Sequence, residues 1–461
     1  MALKLYNSLS KKKENFKPNR SQEVRFYACG PTVYQRAHIG NFRTYINEDI
    51  LKRTLLLNNF KVRHIMNITD VGHLEHDLDT GEDKIEKEAR AQRKSAWDIS
   101  REYEKLFKED LKKLNILPAD FFPRATEHIK EQIELIKKLE KKKYTYRTKD
   151  GIYFDTKKFK NYGVLVKSKL KGLRAGSRVS LGEKRNPMDF ALWKFSPKVE
   201  QRQMEWPSPW GVGFPGWHIE CSAMSLKYLG LLIDIHAGGV DHIHPHHTNE
   251  IAQSEAAFGK KFARFWMHSE FLNLGKTRMG KSEGNAITLD TLEAKGFEPL
   301  DFRYFVFSAH YRSPLSFSWQ ALKASRLGRL RLQNIYQDAP SNLKNKGAGG
   351  NKLFQSFKKE FTNKLNDDLN IPAALAILYA YLKKNKNIKE LLLFADHILG
   401  LALNKFKSDA IPDEILILTK KREEYRKIKS WKEADALRKQ AKKLGFNIKD
   451  TPGGPVIEKI H

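Results

Sequence analysis

Cysteine is nearly missing from this chain: 461 residues contain only Cys29 and Cys221. Two thiols cannot build a disulfide framework at this length, which excludes the disulfide-stapled secreted class and fits a reducing cytoplasm. Long apolar runs are missing too. No stretch of eighteen apolar residues occurs, so neither a membrane-spanning helix nor a membrane partner is expected. The opening residues, Met1 to Asn7, lead into polar sequence and lack the apolar core of a signal peptide, so a cytoplasmic location is expected. Acidic residues are in short supply, with 54 Asp and Glu against 84 Lys and Arg, a formal charge of +30. Such a field favours polyanions, of which nucleic acid is the commonest. Lysines on solvated helix faces would give the same excess without any partner. What is present marks a folded protein: 40% hydrophobic and 11% aromatic residues, enough for two or three domains.

From Glu23 to about Asp70 the pattern reads strand, turn, helix, strand. Val24 to Ala28 forms a strand, about Gly40 to Asn58 a helix, and Val62 to Asn67 a second strand. This βαβ unit predicts a parallel sheet with its binding site at the carboxyl ends of the strands. Charged helices are expected at about 84–114 and 125–142, and a short strand at Gly151 to Phe154. A loop-rich stretch runs from Gly172 to Gly216. Alternation then resumes with a helix after Cys221, a strand at Leu232 to Ile235 and a helix from Pro245 to about Phe258. The interruption predicts one α/β sheet split by an insertion at about 115–215. Beyond residue 319 apolar residues recur at helical spacing up to about residue 444, broken by an exposed loop at 341–350 and closed by Thr451 to Pro455. Residues 321–461 hold 29 Lys and Arg against 15 Asp and Glu, a net of +14. The expected division is 1–318 and a basic helical domain at 319–461.

Three segments carry chemistry. Cys29 stands where the first strand meets a turn, and Cys221 stands about twenty residues before the cluster Asp241 to Glu250, which holds four histidines. Two thiolates with an imidazole and a carboxylate suffice to hold one zinc ion tetrahedrally. Two inert core cysteines are the plain alternative. Second, His38-Ile39-Gly40-Asn41 opens the first helix, where free amide groups and the helix dipole attract phosphate. His38 and Asn41 can donate to phosphate oxygens and Gly40 allows a ligand close to the backbone; simple helix capping is the alternative. Third, Arg278-Met279-Gly280-Lys281-Ser282 is a basic, glycine-interrupted loop able to close over a triphosphate. A solvated turn would read the same way.

These residues carry a resemblance. His38 to Asn41 resembles the HIGH signature of class I aminoacyl-tRNA synthetases, and Arg278 to Ser282 resembles their KMSKS loop. Cys29 to Tyr34, Asp189 to Lys194, Gly216 to Ser225 and Pro245 to Gln253 resemble the cysteinyl-tRNA synthetases in particular. Both class I motifs depart from the pattern. Asn41 stands for the last signature histidine, and Arg278 and Gly280 replace a Lys and a Ser.

The resemblance implies a Rossmann-like catalytic domain over 1–318 and a tRNA- and anticodon-binding tail. It implies zinc ligands Cys29, Cys221, His246 and Glu250. Spacing agrees, because His246 and Glu250 are four apart on one helix face, whereas His247 falls on another face, beside Ile251. It marks His38 and Lys281 as catalytic groups acting on ATP, with Gly40, Asn41 and Arg278 in support. Asp241 is then a partner for the substrate ammonium, and Trp217, His218 and Thr32 line the pocket; helix capping, ordinary core packing and turn stabilisation are their plain alternatives. The implied activity joins L-cysteine to tRNA(Cys) through a cysteinyl-adenylate, with one zinc ion per chain and Mg²⁺ accompanying ATP. A metal suits the task. Cysteine and serine differ by one atom, and ordinary pockets separate such pairs by roughly 10²-fold, whereas zinc takes a thiolate far better than a hydroxyl. The rival expectations are a small-molecule cysteine ligase on the same fold and a non-catalytic, zinc-containing nucleic-acid-binding protein.

Overall fold

The computed structural model describes residues 1–20, 22–72, 83–166, 183–197, 202–275, 277–279, 284–339, 348–383, 388–405, 412–451 and 454–459. The chain forms two compact units, Met1–Leu401 and Ala402–His461.

The first unit is built on β1 (Glu23–Ala28), α1 (Ile39–Leu57), β2 (Lys61–Met66), α2 (Trp217–Leu229), β3 (Ile233–Gly239), α3 (His246–Phe258) and β4 (Ala263–Ser269). The strands lie in the order β4-β3-β1-β2, and every neighbouring pair is parallel. All seven residues of β3 are buried, as expected of a parallel strand covered on both faces. The chain leaves β1 toward β2 and returns on the other side to β3. The crevice beyond the ends of β1 and β3 is therefore the switch point at which such sheets bind ligands. Cys29 follows β1 directly, and Asp241 lies just past the end of β3.

α1 owes its place to buried charge more than to an apolar stripe. The Arg43 guanidinium donates to the carbonyl oxygens of Glu270, Phe271 and Ser313. Asp49 pairs with Arg53 and with Arg303. Arg53 in turn donates to His397 O at 2.8 Å, and Arg303 to Leu399 O at 2.6 Å. The helices after residue 319, up to Leu399, are thereby fastened to α1, which is why this unit runs to residue 401.

The insertion is an antiparallel sheet of Thr145–Arg147, Gly151–Phe154, Phe190–Phe195 and Gly213–Pro215. Its Phe154, Phe190, Leu192 and Trp193 pack on Leu135, Ile136 and Leu139 and on Ala252, Ala256 and Ala257 of α3. The fold thus braces the helix that carries His246 and Glu250.

Several elements differ from expectation. The single helix expected at 84–114 is two, Lys84–Gln92 and Ala96–Lys113: Arg93 turns left-handed (φ 55) and Ser95 caps the second helix. The helix expected at 125–142 opens as a 3₁₀ turn, Ala125–His128, before Ile129–Lys141. The stretch read as loop from 172 to 216 contains two strands, and α2 starts before Cys221, not after it. Of the loop expected at 341–350, residues 341–347 lie outside the described residues and the rest begins the helix Ala348–Asn366. In the second unit, helices Asp413–Lys427 and Trp431–Lys443 are followed by a hairpin, Phe446–Thr451 with Gly454–Lys459, where only helix was expected. Phe446 and Ile448, two apart, face Ile415, Leu418 and Ala441, a strand period at the end of a helical sequence. No helix among the described residues is long and apolar enough to cross a membrane.

Candidate active site

Three elements bring together the four residues singled out as metal ligands. Cys29 comes from the end of β1, Cys221 from the second turn of α2, and His246 and Glu250 from the first turns of α3. All four are buried, and one donor atom from each lies within 4.8 Å of the others. His246 Nε2 stands 3.2 Å from Glu250 Oε1, and Cys29 Sγ stands 3.9 Å from the same oxygen. Burial holds the Cys29 thiol well above its ordinary pKa, aided by the hydrogen bond and field of Cys221. For Cys221 the hydrogen bond with Cys29 is the strongest influence and pulls downward, but burial together with the fields of Glu250 and Glu220 leaves the thiol raised. Two sulfurs, an imidazole and a carboxylate match a tetrahedral zinc set. Glu250 Oε2 is buried with no hydrogen-bond partner, as a carboxylate placed to meet a cation would be.

The structure adds His247, which sequence reasoning set aside, and His236 and His268, which it did not single out. Cys29, His236, His247 and Glu250 form a second quartet, again within 4.8 Å. His247 Nε2 is 3.2 Å from Cys29 Sγ, and His236 Nε2 is 3.4 Å from Glu250 Oε1. His247, read from the sequence as facing away beside Ile251, thus reaches the cysteine. Its Nδ1 is 2.8 Å from His268 Nε2, and His268 Nδ1 is 2.8 Å from Ser8 Oγ. The two quartets share Cys29 and Glu250, so they describe overlapping positions. His236 did carry a signal: it is an imidazole between Ile235 and Ala237 in a wholly buried strand.

Of the residues expected to line the pocket, His218 and Trp217 adjoin this cluster. His218 Nδ1 lies 3.0 Å from His246 Nδ1, which turns His246 Nε2 toward Glu250. The half-buried Trp217 ring lies 4.5 Å from the His246 ring. Asp241, exposed in the turn Val240–Ile243, folds its carboxylate back over Gly239; a Cβ at Gly239 would sit 2.3 Å from Asp241 Oδ1. Thr32 pairs in parallel with Thr69 just past β2. Nearby, Asn67 Oδ1 accepts from Gly30 N, Asn67 Nδ2 donates to Thr69 Oγ1, and Thr69 Oγ1 donates to Glu220 Oε2. The turn holding Cys29 is thereby linked to the residue beside Cys221.

The two motifs expected to bind phosphate adjoin one another, as far as the described residues show. His38 caps α1, and Asn41 completes a capping box with it. Ile39 N donates to Ile287 O at 2.8 Å, and His38 pairs with Thr288. Arg278 lies in a two-residue strand, Thr277–Arg278, antiparallel to Leu272–Leu274. The buried Met279 brings its sulfur 3.9 Å from where a Cβ on Gly40 would stand. Gly280, Lys281 and Ser282 lie outside the described residues.

Comparison with known proteins agrees in kind with this architecture. Residues 15–327 match the family model described as tRNA synthetases class I (C) catalytic domain. The chain is 47% identical to "Cysteine--tRNA ligase 1" of Burkholderia lata over 460 residues, covering 98% of this chain and 96% of that one. It is 42% identical to "Cysteine--tRNA ligase" of Treponema denticola over the full length of both. Among solved structures, a Mycobacterium tuberculosis methionyl-tRNA synthetase bound to methionyl-adenylate shares the fold, with TM-score 0.57 and 15% identity over 83% of this chain and 90% of that one. This chain belongs to the cysteine–tRNA ligase family of class I tRNA synthetases.

Proposed function

We propose that this protein joins L-cysteine to tRNA(Cys) in two steps. The cysteine carboxylate attacks the α-phosphorus of ATP and pyrophosphate leaves. A ribose hydroxyl of the terminal adenosine of tRNA then attacks the carbonyl carbon, and AMP leaves. The observation that carries this reading is the buried Cys29–Cys221–His246–Glu250 quartet in the crevice beyond β1 and β3, on the sheet whose following helix opens with His38.

The assigned metal is zinc, with those four residues as ligands; bound there, it would offer a soft Lewis acid that prefers the substrate thiolate to a hydroxyl. Asp241 takes the substrate ammonium, and Trp217, His218 and Thr32 wall the pocket. His38 and Lys281 act on the phosphates of Mg²⁺-ATP, with Gly40, Asn41 and Arg278 in support. The chemistry is mainly positioning and charge stabilisation. The basic residues after 319, and in the second unit the exposed Trp431 near Lys427, Lys429 and Lys432, suit an RNA partner offering phosphates and unstacked bases. A reducing compartment such as the cytoplasm keeps both thiols as ligands.

The test is cysteine-dependent exchange of pyrophosphate into ATP, followed by charging of tRNA(Cys). Exchange without charging would leave a small-molecule cysteine ligase, and the absence of both activities would refute the reading.

A further inference from the structure

The start of α1 closes a loop of bonds around His38. The backbone N–H of Asn41 points at His38 Nδ1 (3.3 Å) as well as at the His38 carbonyl oxygen (2.9 Å). In return the Asn41 amide oxygen accepts the backbone N–H of His38 at 3.1 Å. A backbone N–H can only donate, so His38 Nδ1 is the unprotonated nitrogen, and the proton of the neutral ring sits on Nε2. The same logic orients the Asn41 side chain: Oδ1 faces the His38 N–H and Nδ2 faces away. Gly40 makes this possible. A Cβ there would stand 2.9 Å from both Cε1 and Nδ1 of His38, so the ring folds over the helix start only because residue 40 has no side chain.

We propose that Asn41 is a positioning residue for ATP activation: its side chain ties down the His38 backbone, and so keeps the ring where the backbone N–H of residue 41 holds it as the Nε2–H tautomer, the form that donates to a phosphate oxygen. This rests on the assignment of His38 to ATP made above. It also explains why an amide serves where the family signature has histidine. Position 41 needs an acceptor for the His38 N–H, and an amide supplies one that never titrates. Asn41 then acts through His38 and not as an independent ligand of ATP.

A double-mutant cycle in the full-length, metal-loaded enzyme separates the two roles. In cysteine-dependent ATP–pyrophosphate exchange, Asn41→Ala is expected to lower kcat/KM for ATP about tenfold or more. The double variant with His38→Ala is expected to fall within about twofold of His38→Ala alone. In enzyme carrying ¹⁵N-histidine, the His38 ring signal, assigned by its loss in His38→Ala, is expected to report Nε2–H in the native chain and a tautomer mixture in Asn41→Ala. Gly40→Ala, which pushes the ring off the cap while leaving Asn41 intact, is expected to mix the tautomers too and serves if Asn41→Ala does not fold. The proposal is overturned if the full Asn41 penalty persists without His38, or if the ring stays Nε2–H in the folded variants. Should the native chain show no cysteine-dependent exchange, the functional reading fails, and the ring signal still decides the cap.

Discussion

His218→Ala is the sharpest probe of how the metal site is built. A metal on His246 Nε2 needs the lone pair there, so His246 carries its proton on Nδ1. That N–H must then donate to His218 Nδ1, 3.0 Å away, and both rings are buried. Removing the His218 ring leaves a buried N–H without its acceptor, a cost of about 1–3 kcal/mol. Loss of such an orienting partner typically weakens metal binding about 10–100-fold, which converts to about 1.4–2.8 kcal/mol, so the two routes agree. The substitution also removes packing against Phe190, whose ring lies 5.4 Å away, so the comparison belongs at a temperature where both proteins are folded. Zinc affinity measured by competition with a chromophoric chelator should fall by that factor in His218→Ala. It should largely recover in His218→Asn, whose side chain can place an acceptor near the lost Nδ1. Equal affinity in the native and alanine proteins would refute the argument that His218 sets the His246 tautomer.

Other perturbations separate the remaining parts of the account. The two quartets differ in Cys221 and His246 against His236 and His247; with the assigned ligands, Cys221→Ser should lose most of its zinc and His236→Ala should keep it, and elemental analysis showing the reverse would move the ion to the second set. A chain ending at Leu401 keeps the whole first unit and, once circular dichroism shows it folded, should form cysteinyl-adenylate while charging tRNA poorly; charging at the native rate would remove the second unit from tRNA binding. In the full chain, tRNA affinity should fall steeply with salt, because each phosphate contact releases counterions. Burial raises the Asp70 carboxyl to about 6 against the lowering effect of its Thr126 hydrogen bonds. A raised folded-state pKa contributes stability that is complete below about pH 4 and is lost as pH rises through 6. Asp70→Asn should flatten that fall when urea midpoints are compared at pH 5 and pH 7, and an unchanged slope would remove Asp70 as its source.

The parts of the site legible in the sequence are those set by short-range spacing. His246 and Glu250 are one helical turn apart, and the two cysteines were conspicuous by scarcity. The βαβ unit was legible because strand and helix periods alternate cleanly from Val24 to Asn67. What escaped depends on strand registry and on capping. His236 and His268 meet the site because β3 and β4 run parallel, with His236 opposite Trp266 and His268 opposite Gly238; no sequence spacing encodes that. The break at Arg93 required a non-glycine residue in the left-handed region, which no turn residue announces. The division at 401 escaped because buried Arg53 and Arg303, ordinary surface residues by composition, hold the later helices onto α1.

The most direct measurement of the central claim is pyrophosphate exchange into ATP with cysteine and with serine, on enzyme loaded with zinc and on enzyme stripped of it. The account predicts exchange with cysteine on the loaded enzyme, negligible exchange with serine, and loss of the cysteine signal on stripping that returns with zinc. A serine rate near the cysteine rate, or full cysteine activity without the metal, would contradict it.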